Sequence, residues 1–296
     1  MTSTDSYILR QKDTKSFSSA NITTRGASLL ELVLNGVQVV AQTRFSNPAD
    51  VVYGTILAPW PNRLADGKFS FDGKGFSFPM DQDGNANHGL VMERRFEVRS
   101  HHDHEITVGY RFGEDPNYPF EVDLEICYRL EVDRLVVKAV STNHSNGAAP
   151  FAIGFHPYFV TLEPARLHVD VTKAYETNQR MIPVAEHQID SLDLTLEPGI
   201  KLDHGFRGKL PTAHLEDQAK TVLVRSIRGL DHFMVYRPEE SILSSAGSCV
   251  AIEPMSAGAN QFNTDIESCL IEPGRSEIYE FEIVLASATS TSVTTL

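Results

Sequence analysis

The sequence predicts an all-β protein of stacked antiparallel sheets, on three observations. Apolar side chains recur with a period of two along most of the chain, the period of a strand with one buried face. Gly, Pro and Asn turns separate these stretches from end to end. No window of a dozen residues keeps an apolar stripe at helical spacing with caps at both ends.

The elements follow in order. Leu29 to Ala41, LLELVLNGVQVVA, sets Asn35-Gly36 between two apolar runs, and both residues tolerate the positive φ of a type I′ hairpin turn. Lys68 to Phe78, KFSFDGKGFSF, repeats the device around Asp72-Gly73. Phe120 to Val140 predicts two long strands joined near Asp133. Further strands are predicted at Ala165 to Val171, Thr221 to Ile227, His232 to Tyr236, Ser248 to Glu253 and Glu277 to Leu285. No Pro/Ser linker or shift in composition divides the chain, so residues 1–296 are expected to form a single domain, with 287–296 as a flexible polar tail.

A formal net charge of −13 argues against nucleic acid or an anionic membrane surface as the partner. Cys127, Cys249 and Cys269 are odd in number and far apart, with no CxxC, so neither a disulfide framework nor a zinc knuckle is suggested. The N-terminus lacks the layout of a secretory signal, and no apolar run approaches the ~18 residues that cross a bilayer. A cytoplasmic location is the expectation.

Four segments place polar groups among apolar strands and tight turns. In Ala58 to Lys68, APWPNRLADGK, two prolines bracket Trp60 and Arg63 follows, so a rigid turn holds an aromatic face and a hydroxyl-binding guanidinium. Gly84 to Leu90, GNANHGL, carries His88 but lacks the Gly-Lys-Ser/Thr ending of a phosphate loop. Pro150 to Phe159, PFAIGFHPYF, sets His156 among aromatic and aliphatic residues, where a held imidazole is a natural proton donor. In Ser248 to Asn260, SCVAIEPMSAGAN, Glu253 ends an apolar strand before Pro254, and burial there would raise its proton affinity into the range of a general base. Asp231, in GLDHFMVY, is a second acid just before a strand. Each also has an ordinary reading, as a surface arginine, a satisfied core histidine or a turn cap. His101-His102-Asp103-His104 has metal-binding residue types but reads as a polar turn between strands. No Gly-x-Ser-x-Gly elbow or HExxH occurs.

Taken in order, these segments resemble the aldose 1-epimerase (galactose mutarotase) family from about Leu29 to Leu285. PNRLADGKFSFDGK resembles its arginine loop, NANHGL and TNHSNGAAPFAIGFHPYF its two histidine motifs, LDHFMVY its acid segment and CVAIEP its glutamate strand. The resemblance implies a large antiparallel β-supersandwich that interconverts the α and β anomers of an aldose. It assigns Glu253 as general base and His156 as general acid, with Arg63, His88 and Asp231 binding the sugar. Trp60 is a candidate apolar face for the ring. It implies no metal and no cofactor, a small sugar as partner, and a monomer or homodimer.

One departure concerns charge. A related branch acting on hexose 6-phosphates places an arginine shortly after the first histidine motif, where this chain has Met92, with Arg94 and Arg95 beyond. A neutral sugar is therefore the expectation. The rival readings are a hexose-6-phosphate 1-epimerase, a non-catalytic sugar-binding protein on the same scaffold, a glycoside hydrolase pairing Asp231 with Glu253, and a metal site of His88, His156 and Glu253.

Overall fold

The structure, a computed structural model, describes residues 5–12, 16–245 and 247–286. The tail expected at 287–296 lies outside them. The described residues form antiparallel sheets almost throughout, and helix is confined to Gln261–Thr264 and two short 3₁₀ turns.

Nine strands make the largest sheet, with Arg134–Asn143 and Ser276–Ala286 near its centre. A second sheet runs Pro183–Gln188, Lys173–Thr177, Leu202–Arg207, His232–Arg237, Ser248–Met255, Gly154–Phe155 and Ile56–Leu57, and Tyr158–Thr161 also pairs with Ser248–Met255. Four N-terminal strands, from Ser6–Lys12 to Val37–Val40, form a third sheet. Both predicted hairpins are present. Asn35 and Gly36 have φ of 53° and 79°, and Asp72 and Gly73 have 48° and 70°, as a type I′ turn requires.

One apolar cluster joins these layers, with Phe155 of the second sheet packed on Phe281 of the first at 4.8 Å between ring centres. Strand alternation decides which side chains reach it. Phe233, Val235, Val250 and Ile252 are wholly buried on the core face, each stabilising the fold by about 1.5–3 kcal/mol. Their neighbours Met234, Tyr236 and Glu253 fall on the opposite face of the same two strands and line a cavity. Among the described residues no helix is long and apolar enough to cross a membrane, and all three cysteines are free.

Candidate active site

The cavity, of about 330 Å³, is lined by Arg63, His88, His156, Asp203, Tyr236 and Glu253 among others. Pairing across the second sheet explains the company these residues keep. Met234 lies opposite Glu253, Tyr236 lies two residues on along the same face, and Asp203 lies opposite Tyr236. The sheet thus presents two carboxylates, a phenol and a thioether on one side.

His156 reaches the same face from the other side of Ser248–Met255. That strand pairs Gly154 with Met255 and Tyr158 with Ala251. Carried between these points, the register sets His156 opposite Glu253, where Pro157 and Pro254 supply no backbone N–H and the ladder opens. The strand does not end at Glu253, as the sequence suggested, but continues to Met255. Backbone bonds hold His156 in place: its N–H donates to Thr55 O at 3.2 Å, and its carbonyl accepts from Gly54 N at 3.0 Å. Tyr158 packs on its ring at 4.9 Å and is itself stacked on Tyr53 at 5.1 Å.

Arg63 and His88 come from a smaller ladder. Arg63 pairs with Asn87, His88 N donates to Asn62 O at 2.8 Å, and Leu90 N donates to Ala58 O at 2.7 Å. Asn62 Oδ1 accepts from both the Arg63 backbone and Nη1, at 2.8 and 3.2 Å. Arg63 Nη2 then meets Asp203 Oδ2 at 2.8 Å. Three residues at the cavity, Val52, Asn62 and His88, take left-handed backbones with φ of 55°, 56° and 62°. Such conformations cost about 1–3 kcal/mol and gather at functional sites that the surrounding fold over-determines.

The chemistry of this arrangement is that of a proton-transfer pair. His156 Nε2 stands 3.2 Å from Glu253 Oε1, with side chains only 5% and 2% exposed, so water screens neither. Burial, and next the charge of Asp203, hold the Glu253 carboxyl well above the usual carboxylate range, against a smaller opposing effect of Arg63. Burial, then His88, hold His156 well below the usual imidazole range. His88 is lowered to about 3 by burial and by Arg63, so its ring is a neutral hydrogen-bonding group. Among the described residues Glu253 Oε2, His156 Nδ1 and His88 Nδ1 are buried without a hydrogen-bond partner. Native interiors rarely leave such atoms orphaned, and here three of them converge on one cavity.

Four of the six sequence candidates, Arg63, His88, His156 and Glu253, meet at this cavity. Asp231 does not. It precedes strand His232–Arg237 in step with Phe233 and Val235, the core-facing positions, and its Oδ1 accepts from Leu210 N at 3.2 Å. Asp203, opposite Tyr236, lines the cavity instead. The tripeptide Leu-Asp-His occurs twice, at 202–204 and 230–232, and only strand pairing tells which aspartate faces the cavity. Trp60 is also displaced from its expected role. It is 3% exposed, packed on Phe78 at 4.5 Å, with Nε1 donating to Ala86 O at 3.4 Å.

Asp231 is not at the cavity with Glu253, so the pairing of those two carboxylates is not formed, although Asp203 stands there in its place. Among the described residues no three His, Cys, Asp or Glu side chains converge closely enough to hold a metal ion. His101 and His102 end strand Glu97–His102, and the turn to the next strand follows, as expected.

Comparison with known proteins points the same way. A family model described as aldose 1-epimerase matches residues 10–285. The uncharacterized protein YihR of Escherichia coli K12 is 27% identical over 281 residues, 89% of each chain. The fold is similar to that of the GalM/aldose epimerase homologue from C. elegans, with a TM-score of 0.80 at 16% identity over 95% of this chain and 99% of that one. It is also similar to galactose 1-epimerase from Lactobacillus acidophilus NCFM, with a TM-score of 0.77 at 14% identity over 95% and 98% of the two chains.

Proposed function

Because this chain belongs to the aldose 1-epimerase family, we propose that it interconverts the α and β anomers of an unphosphorylated aldose by opening and closing the sugar ring. The observation that carries this reading is the buried pair of Glu253 and His156, 3.2 Å apart. Anomer exchange breaks the bond from C1 to the ring oxygen and makes a C1 carbonyl. The C1 hydroxyl must lose a proton and the ring oxygen must gain one. Those two oxygens share one carbon, so a base and an acid within a few ångströms of each other can serve both. Glu253 takes the hydroxyl proton and His156 supplies the ring-oxygen proton. After C1 rotates, the two exchange roles and the ring closes on the other face.

The electrostatics favour this direction of transfer. Both shifts favour the ring-opened state, with the proton on Glu253 and His156 neutral. Ionised Glu253 beside protonated His156 is the less populated form of the free pair, and in that form Glu253 is the stronger base and His156 the stronger acid for its shift. Arg63 and neutral His88 donate to the ring-oxygen side or neighbouring hydroxyls, and Asp203 accepts from a hydroxyl near C2. Asp50, Asp203 and Glu253 face Arg63 as the charged groups at the cavity, an excess of carboxylates that disfavours a phosphate. Arg94 and Arg95 are not among its lining residues.

Polarimetry on freshly dissolved α-D-glucose and α-D-galactose tests the proposal. Catalytic amounts of protein should speed the approach to an unchanged final rotation for at least one of them. If neither responds, the 6-phosphates and other aldoses follow. Folded protein inert across that panel would instead be a sugar binder without turnover.

A further inference from the structure

The short strand that carries Arg63 has two edges, and its ladder with Asn85–Asn87 holds one of them. His88 N donates to Asn62 O and Asp66 N donates to Gly84 O, with Leu64 paired to Ala86 between them. Bonded and unbonded pairs alternate in an antiparallel ladder, so Leu64 turns its backbone groups toward Ala86. Arg63 and Ala65 turn theirs to the opposite edge.

Asn260 occupies that edge. Its N–H donates to Arg63 O at 2.6 Å, and its Oδ1 accepts from Ala65 N at 3.0 Å. The side-chain amide oxygen stands where a neighbouring strand would place a carbonyl. Asn260 makes both bonds from a left-handed backbone, φ 61°, which asparagine tolerates. Arg63, Leu64 and Asn260 share the wall of a crevice of only about 10 Å³, room for no more than one water, so the two segments meet directly.

Asn260 is itself held by the chain that leaves Glu253. Ser256 N donates to Ile153 O at 2.8 Å, and Ser256 Oγ accepts from Ile153 N at 2.9 Å, which ties this segment to the one carrying His156. Just past Asn260, Phe262 is 3% exposed and packs on Phe69 at 5.1 Å and Trp60 at 6.4 Å. One segment thus joins all three parts of the site.

We propose that Asn260 is a positioning residue, which fixes Arg63 against Asp203 and the sugar by holding the second edge of its strand. The inference rests on the epimerase reading for what Arg63 binds. Asn260 does not line the cavity, so it acts through Arg63 and does not touch the sugar.

Asn260→Gly tests it, because glycine keeps the left-handed backbone and its N–H and removes only the amide. Calorimetry and polarimetry are run with the sugar on which the wild type is fastest. Sugar binding should weaken and KM rise about ten-fold, with kcat within about three-fold, since a guanidinium contact is lost and the acid–base pair is untouched. Asn260→Asp keeps the acceptor and should stay within about three-fold of wild type in both constants. Arg63→Ala should weaken binding by itself, and adding Asn260→Gly to it should cost nothing further, because the two act through one group. Asn263→Ala removes the other donor to Oδ1, Asn263 Nδ2 at 2.7 Å, leaves Ala65 held, and should change neither constant. If Asn260→Gly does not fold, Asn260→Ser, whose hydroxyl ends one atom short of the amide oxygen, takes its place with the same expectations. Unchanged affinity in the folded variant, additive losses with Arg63→Ala, or an equal loss in Asn263→Ala would overturn the proposal. A wild type that speeds no sugar's rotation fails the epimerase reading alone. Crystal structures of wild type and Asn260→Gly then judge the clamp, which is overturned if Arg63 stays on Asp203 in the variant.

Discussion

Glu253 faces His156 at 3.2 Å across one strand boundary, in unbroken register where two prolines open the ladder. The pair is therefore positioned by the sheet and not by a mobile loop. Its geometry is preorganised by the same pairing that buries Val250 and Ile252 on the other face.

The first prediction tests the roles of this pair. Glu253→Gln keeps the shape and removes the base, so turnover should fall on the order of 10²–10⁴-fold while the dissociation constant for sugar changes only a few-fold. His156→Asn should lose turnover to a similar extent. Stopped polarimetry with calorimetry on each variant separates the two quantities. Glu253→Gln turning over at the wild-type rate would remove Glu253 as the base.

Asp203 gives the second. Its charge raises the proton affinity of Glu253, and a base held above its usual range ionises, and becomes active, only at higher pH. The acid limb of kcat/KM should lie above the ordinary carboxylate value of 4.5. Asp203→Asn removes the nearby negative charge and frees Arg63, and both changes favour ionised Glu253. The acid limb should move to lower pH, alongside a drop in kcat/KM from the lost hydroxyl contact. Asp231→Asn, at the position held by Leu210 N, should leave the limb in place. If the two variants shift it equally, the assignment of Asp203 is wrong.

That contrast marks how far the sequence carries. Glu253, His156 and Arg63 stood out because each interrupts an apolar or proline-fixed run, and His88 because it sits in a tight Gly/Asn turn. It was the order of these segments, resembling a known family, that singled the four out. Asp203 was not among them. Its segment, LDHGF, has the same local signal as LDHFM, and the difference lies in which strand pairs with which. The strands fall out the same way. Ser248–Met255 and Ser276–Ala286 announce themselves by dense burial. Pro183–Gln188 is exposed along nearly its whole length, so no alternation reaches its sequence, and it is held by pairing with Lys173–Thr177. Trp60 misled because two flanking prolines fix an aromatic side chain equally well for packing and for display.

The loop that carries His88 supplies a third prediction. Gly89 has φ 73°, and a Cβ there would stand 2.0 Å from Ala58 O, the acceptor of the Leu90 N bond. Gly89→Ala combines a left-handed alanine with an overlap onto backbone, a loss on the order of 2–5 kcal/mol. Urea unfolding should show it as a lower midpoint with little change in slope. Any folded fraction should bind sugar weakly, because His88 and Arg63 share this ladder. A variant of wild-type stability and affinity would mean that the loop relaxes freely, contrary to the contacts around it.

Acid stability provides the last. His232 is held at about 3 in the fold by burial and Arg207, against about 6.5 in an unfolded chain. Between these values the unfolded state binds a proton that the native state refuses. Stability therefore rises with pH across this window and is lost as the pH falls from 6.5 toward 3. From pH 7 to pH 5 this one group should remove on the order of 2 kcal/mol. His156 acts in the same direction. Glu253 opposes them, because its raised proton affinity favours the native state at the acid end of that range. His232→Gln isolates one contribution: the variant should lose about 2 kcal/mol less than wild type between pH 7 and pH 5, measured by urea unfolding at both. Equal losses in the two proteins would mean that His232 takes up its proton in the folded state.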